Sequence, residues 1–381
     1  MSQPSLEVVK PGLFTTVQDL GRPGYQRFGV PVSGVMDRFA LRVANALAGN
    51  DVGAAALEMT VIGPSITFLV DTWAALAGGD LAPRLNDAPL KTWRAFKVSA
   101  GSQLTFNGMQ DGMRAYLAIA GGIDVPKVMG SRSTYVPSGF GGFEGRALVA
   151  GDNLYTCKPD GEYRARFMPA DRALPPYGDT HALRVILGPQ HEAFTPESIE
   201  ELLSSTFEIS LDSDRMGYVL DGPALQHVAG AGIISDGNPL GAIQVPGDGS
   251  PTILLADRGT TGGYARIATV IGVDVDRMAQ ALPGNSVTFS TIDIEEAQGL
   301  LREQVRLLEE IAAGPPEVDQ RIAVAVDGVS FEVTDVNGKS LTRATSASST
   351  PAKSPQHVTA TAGGRTYDFD VTIETGGDQQ Q

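Results

Sequence analysis

Asp37 and Asn45 stand eight residues apart in 37–48 (DRFALRVANALA). On a helix this spacing puts a carboxylate and a carboxamide on one side, with Leu41 between them. Facing one way, the two groups can cradle an amide-bearing substrate. They can equally serve structure alone, Asp37 as a helix cap and Asn45 as the partner of a loop carbonyl. Ahead of them, 15–37 (TTVQDLGRPGYQRFGVPVSGVMD) crowds Gln18, Asp19, Arg22 and Ser33 onto a backbone fixed by glycines and prolines. Arg132 sits in 130–134 (GSRST), a hydroxyl-rich basic loop able to hold a carboxylate or phosphate, though a plain loop would have the same composition. Arg215 lies in 212–218 (DSDRMGY), an acidic-basic run that also fits a solvated surface ion pair. Gln244, between Ile243 and Val245 in AIQVP, faces opposite to them, toward solvent or a polar pocket. Thr260 and Thr261, followed by Gly262, Gly263 and Tyr264, offer two hydroxyls and backbone N–H groups free to approach an anion.

Several familiar chemistries lack their residues. His191-Glu192 begins like a zinc-protease helix, but the second ligand position holds Thr195. Gly338-Lys339-Ser340 imitates the end of a phosphate-binding loop, yet the glycine needed five residues earlier is Val333. The loop 139–145 (GFGGFEG) lacks dinucleotide-binding spacing because its last position falls on Glu144, and a mobile or tightly turned loop is expected there. No metal site is expected.

The elements that must carry these residues read as short strands between Gly, Pro, Asn and Asp turns: 6–9, 65–70, 103–106, 115–119, 183–187, 252–256 and 286–290. Such strands favour antiparallel sandwiches or barrels over a doubly wound sheet. Three helices are expected. The first is 37–48, stopped by Gly49-Asn50; the second is 195–203, with Thr195 ahead of Pro196. The third, 294–312, carries Ile294, Ala297, Leu301, Val305, Leu308 and Ile311 at helical spacing and ends at Gly314-Pro315-Pro316. Beyond that break, 322–333 and 363–373 look like hairpin strands flanking a Ser/Thr/Ala-rich linker, 340–355. The length of 381 residues allows two to three domains. The excess of 44 acidic over 29 basic residues argues against nucleic acid as a partner. A single cysteine, Cys157, excludes an internal disulfide framework and fits a cytoplasmic location. The first residues, MSQPSLEVVKPG, show no secretory signal, and no apolar run suits a bilayer.

Taken in order, PGLFTTVQDLGRPGYQRFGVPVSGVMD (11–37), ANALAGND (44–51), LEMTVIGP (57–64), YLAIAGGIDVP (116–126), GSRST (130–134), SDRMGY (213–218), GAIQVP (241–246) and TTGGY (260–264) resemble a known family. It is that of the C component of bacterial 5-oxoprolinase, also called allophanate hydrolase subunit 2 or biotin-dependent carboxyltransferase. The resemblance implies a mainly β fold with a cyclophilin-like, closed antiparallel barrel. The expected organisation is an N-terminal β-rich half, 1–170, with helix 37–48, and a barrel half, 181–292. An amphipathic helix, 293–314, and a small β tail, 315–381, follow. The resemblance also implies two protein partners, a smaller cyclophilin-fold B component and an A component, which together with this chain open 5-oxoproline to glutamate with ATP. ATP is expected on the complex, not necessarily on this chain. One alternative is carboxyl transfer to urea or another amide, with biotin carried on another chain because no Met-Lys-Met-like site is present. A second is a regulator that only binds its partner. Two positions depart from the family pattern: Gly259 stands where Gln is usual and Ala265 where Pro is usual, and the first of these removes one substrate-facing amide. The site is expected at the seam of the two halves, with Asp37, Asn45, Gln244 and Thr260 as catalytic residues. Gln18, Asp19, Ser33, Arg132, Arg215, Thr261 and Tyr264 are expected to bind substrate or anionic oxygen.

Overall fold

A computed structural model describes residues 3–314, apart from 160, 162, 165, 170, 171, 173, 175 and 176, and four strands beyond Gly314. The N-terminal half is two facing sheets. One runs in the order 153–154, 6–10, 65–68, 103–106, 83–85, 88–89; the other runs 14–18, 56–60, 111–119, 72–80, 94–98. Strand alternation decides what lies between and behind them. Leu57, Met59, Leu76, Leu117 and Ile119 point into the sandwich core with Leu6, Val8, Ile66 and Phe68. The intervening Ala56, Ala75, Ala77 and Ala118 point the other way, and these small side chains let helix α1 (Arg38–Ala48) lie close on the sheet. Glu58 and Tyr116 share that second face, so a carboxylate and a phenol are sealed beneath the start of α1.

The second half is a closed seven-stranded barrel in the order 180–187, 266–270, 242–244, 252–254, 217–221, 207–209, 286–291. Its closure differs from the fully antiparallel expectation, because Thr180–Leu187 and Ser286–Thr291 pair in parallel. A parallel pair needs a long crossover, and here the rest of the barrel supplies it. Two helices accompany the barrel: α2 (Pro196–Ser204), capped by Thr195, and α3 (Gly272–Met278). A seven-residue helix has too few turns to show helical periodicity, so α3 is not legible in sequence. Met36, just ahead of α1, joins the barrel core and anchors one half in the other.

Helix α4 (Ile294–Ala313) starts at the Asp293 cap, and Gly314 caps its C-terminus. Of its expected apolar stripe, Leu308 and Ile311 are buried with α1, while Ile294, Leu301 and Val305 remain exposed. The tail strands pair as two hairpins, Ile322–Val326 with Val329–Val333 and Gln356–Ala362 with Arg365–Val371. The linker 340–355 lies outside the described residues. No described helix is long and apolar enough to cross a membrane.

Candidate functional site

Glu58 decides the character of the seam. A carboxylate 1% exposed cannot stay charged without partners, and the second half delivers one. Arg215 Nη1 donates to Glu58 Oε1, Nη2 donates to the Gly34 carbonyl, and Nε donates to Asp257 Oδ2 at 2.8 Å. The other oxygen, Oε2, accepts from Met36 N at 2.8 Å and from the Tyr116 hydroxyl at 2.9 Å. Burial alone would lower the Arg215 guanidinium, but Glu58 and Asp257 hold it above its usual value. Arg215 is therefore no surface ion pair: it pins the barrel to the sandwich through charge-assisted bonds.

Asp37 sits beside this lattice. Its backbone N–H donates to Tyr116 Oη at 2.8 Å, its Oδ1 caps α1 at Ala40 N (2.8 Å), and its Oδ2 accepts from Gln280 Nε2 at 2.7 Å. Gln280 Oε1 in turn accepts from Arg114 N at 2.8 Å, and Arg114 Nη1 donates to Tyr218 Oη at 2.7 Å. Burial, then the nearby Asp276 charge, raises the Asp37 carboxyl to about 7. The cap and the seam bond occupy both oxygens, so Asp37 couples the halves; both bonds favour the ionised carboxylate and partly offset the rise.

A second polar group gathers where a two-stranded ribbon, Gly232–Gly237 with Thr261–Tyr264, leaves the barrel. Gln244 Nε2 lies 3.4 Å from the Tyr264 carbonyl. Asn238 donates from its backbone to the Thr260 carbonyl (3.0 Å) and from Nδ2 to the Gly259 carbonyl (3.2 Å). The latter bond fixes the orientation of the amide, and it leaves Oδ1 buried with no partner among the described residues. Gly262 lets the two amides approach the ribbon closely: a Cβ on it would fall 2.5 Å from Gln244 Nε2 and 2.9 Å from Asn238 Nδ2, so either side chain would have to swing away. Arg258 packs against the same loop, donating from Nε to the Asn238 carbonyl at 2.8 Å; burial, then the Arg38 charge, lowers it to about 10.

A family model, carboxyltransferase domain, subdomain A and B, matches residues 28–291. The chain belongs to that carboxyltransferase-domain family. It is 39% identical over 307 residues to the 5-oxoprolinase C component of Escherichia coli, covering 81% of this chain and 97% of that protein. It is 37% identical to urea amidolyase of Lachancea kluyveri, over 81% of this chain but only 18% of that protein. Among solved structures, the Kluyveromyces lactis urea carboxylase superposes with a TM-score of 0.77 at 29% identity, over 99% of this chain and 34% of the other. TTHA0988 gives 0.69 at 36% identity, over 75% of this chain and 56% of the other.

Within this carboxyltransferase-family chain, the structure sorts the expected site residues into groups. Asp37 and Arg215 meet at the seam, and Gln244, Thr260, Thr261 and Tyr264 meet at the ribbon. Gln18, Asp19 and Ser33 form a third group with the 130–134 loop. Asp19 accepts from Gly21 N, Ser131 Oγ, Ser133 Oγ and Arg132 N, while Gln18 and Ser33 both donate to the Thr134 carbonyl. Two residues stand apart. Asn45 lies eight residues along α1, about 12 Å from Asp37 at 1.5 Å per residue, and its amide is taken by the Ala54 carbonyl (2.7 Å) and Asn50. The Arg132 guanidinium turns to the Val125 carbonyl and Asp124. Their short-range partners replace the expected convergence on a substrate. Sequence reading missed Glu58, Asn238, Asp257 and Gln280, since single polar residues in strands or loops carry no spacing signal. The glycine-rich loop 139–145 is tightly turned, with Gly141 and Gly142 packed against Ser133, Arg22 and Thr134.

Proposed function

We propose that this chain is a substrate-holding component of an ATP-dependent complex that opens 5-oxoproline to glutamate, working with partners of the A and B types. The observation that carries this reading is the ribbon group. A buried, unpaired Asn238 Oδ1 beside the Gln244 amide offers an acceptor for a lactam N–H and a donor for its carbonyl oxygen. A lactam resists attack because of amide resonance, and phosphorylating its oxygen converts it to an electrophile. That chemistry asks a protein chiefly for positioning and for stabilisation of developing negative charge. Nucleotide handling is assigned to the partner chains. The near-full-length match to the E. coli protein supports the assignment.

A second reading, carboxyl transfer from biotin on another chain to urea or a related amide, would use the same amide-holding group. What favours it is the 37% identity to the Lachancea kluyveri urea amidolyase, which spans the same 81% of this chain as the match to the E. coli protein. The test is co-expression with A-type and B-type partner proteins and an ATP-hydrolysis assay with 5-oxoproline, urea or neither. Glutamate release dependent on 5-oxoproline supports the first reading. Turnover of urea dependent on a carboxybiotin-loaded carrier replaces it with the second. Stable assembly with neither activity leaves a partner-binding regulator.

A further inference from the structure

Arg22 is only 1% exposed, yet its guanidinium is poorly partnered. Nη2 donates to the Ser133 carbonyl, and the Phe140 ring covers one face at 4.8 Å. Nε and Nη1 have no acceptor among the described residues. The two carboxylates whose fields reach Arg22, Asp19 and Asp257, are committed elsewhere. Asp19 takes Gly21 N, Arg132 N and two serine hydroxyls, and Asp257 takes Arg215. A buried cation in this state loses hydration without gaining a contact ion pair.

We propose that Arg22 is a binding site for the carboxylate group of a small organic acid, with Phe140 as its cover. Three features fit that ligand. A guanidinium is the side chain best matched to a planar oxyanion. Free N–H donors in a desolvated wall bind an anion far more strongly than the same donors in water. The cover sits in a segment, 136–140, whose residues 136–139 are exposed, so a ligand enters by displacing one aromatic side chain rather than a strand. Phe140 also pairs with Tyr135, their ring centroids 5.5 Å apart. The inference deepens the proposed function by naming the group that takes the acid end of 5-oxoproline. It rests on that reading only in its choice of first probe.

The test uses the full chain labelled with 15N-arginine. The Arg22 Nε resonance is followed on adding 5-oxoproline, bicarbonate or inorganic phosphate, with Arg22→Lys and Arg22→Met in parallel. A saturable shift with 5-oxoproline, weakened at least tenfold in Arg22→Met and partly kept in Arg22→Lys, is expected. Saturation by bicarbonate alone would overturn the organic-acid assignment, and saturation by phosphate alone would do the same. A resonance unmoved by all three overturns the site and leaves a buried arginine solvated by water. Should Arg22→Met fail to fold, the wild-type titration still decides. Binding of 5-oxoproline in a chain whose complex does not turn it over would keep the site and remove the proposed activity.

Discussion

Asp37→Asn removes one charge from the seam and keeps its shape, so its effect should depend on pH. An unfolded aspartate ionises near 3.9, whereas in the fold Asp37 is raised to about 7 by burial and then by Asp276. Between those values the folded chain holds a proton that the unfolded chain has released. The contribution is therefore largest below about pH 4 and is lost as pH rises through 7. At about 1.4 kcal/mol per pH unit, wild type should lose roughly 2–3 kcal/mol between pH 5 and pH 8 from this source. For a body of this size that is about 4 °C in melting temperature. Asp276 is also raised, chiefly by burial, and Arg38 partly offsets it, so the proton belongs to the pair. Glu58 and Arg42 are the other charged groups around the pair, and Tyr116 and Tyr177, whose phenols burial raises, face it uncharged. His181 acts oppositely, because burial lowers it and makes acid unfavourable, so the measured quantity must be the difference between wild type and variant. The amide introduced by Asp37→Asn can still cap α1 through its one oxygen but cannot also accept from Gln280, which gives a pH-independent offset. Thermal melts from pH 5 to 8 should show the gap moving in the variant's favour by that 2–3 kcal/mol. Parallel curves would refute a protonated Asp37 in the fold.

Glu58→Gln leaves Arg215 paired with Asp257 but facing a neutral amide in place of Glu58, and should cost about 1–3 kcal/mol in denaturant unfolding; an unchanged stability would mean that the lattice is solvated. Asn45→Ala frees the Ala54 carbonyl and Asn50, so it should destabilise by about 1–3 kcal/mol, while activity per folded complex stays near wild type; a large fall in kcat at unchanged stability would return Asn45 to the site. Cutting after Gly314 should leave a folded body, because α4 is capped there and the core clusters of the described residues draw on positions before it. Aggregation of the shortened chain would show that the tail is integral.

Local signals carried most of the fold. The Asp37 and Thr195 caps and the Gly49 stop are short-range chemistry and stand where the spacing put them. The 3.6-residue period of α4 predicted the helix but not its surroundings, since periodicity reports an apolar stripe and not whether a neighbour covers all of it. The candidate site was legible only in part. Gln244 is flanked by buried Ile243 and Val245, so strand alternation located it. Glu58, by contrast, meets Arg215 across 157 residues, and no local pattern reports a partner that distant. Asn45 misled for the same reason: two polar residues on one helix face share a direction, but only the packed loop at 50–54 shows that one of them is already used.

The most direct measurement is steady-state kinetics of Gln244→Ala and Thr260→Ala in the reconstituted complex, with melting temperature and assembly recorded alongside. If the ribbon group holds the amide substrate, each variant should assemble and melt like wild type while turnover falls by about a hundredfold, as loss of a preorganised polar contact does. Full activity in both variants would contradict the account and place the chemistry away from the ribbon.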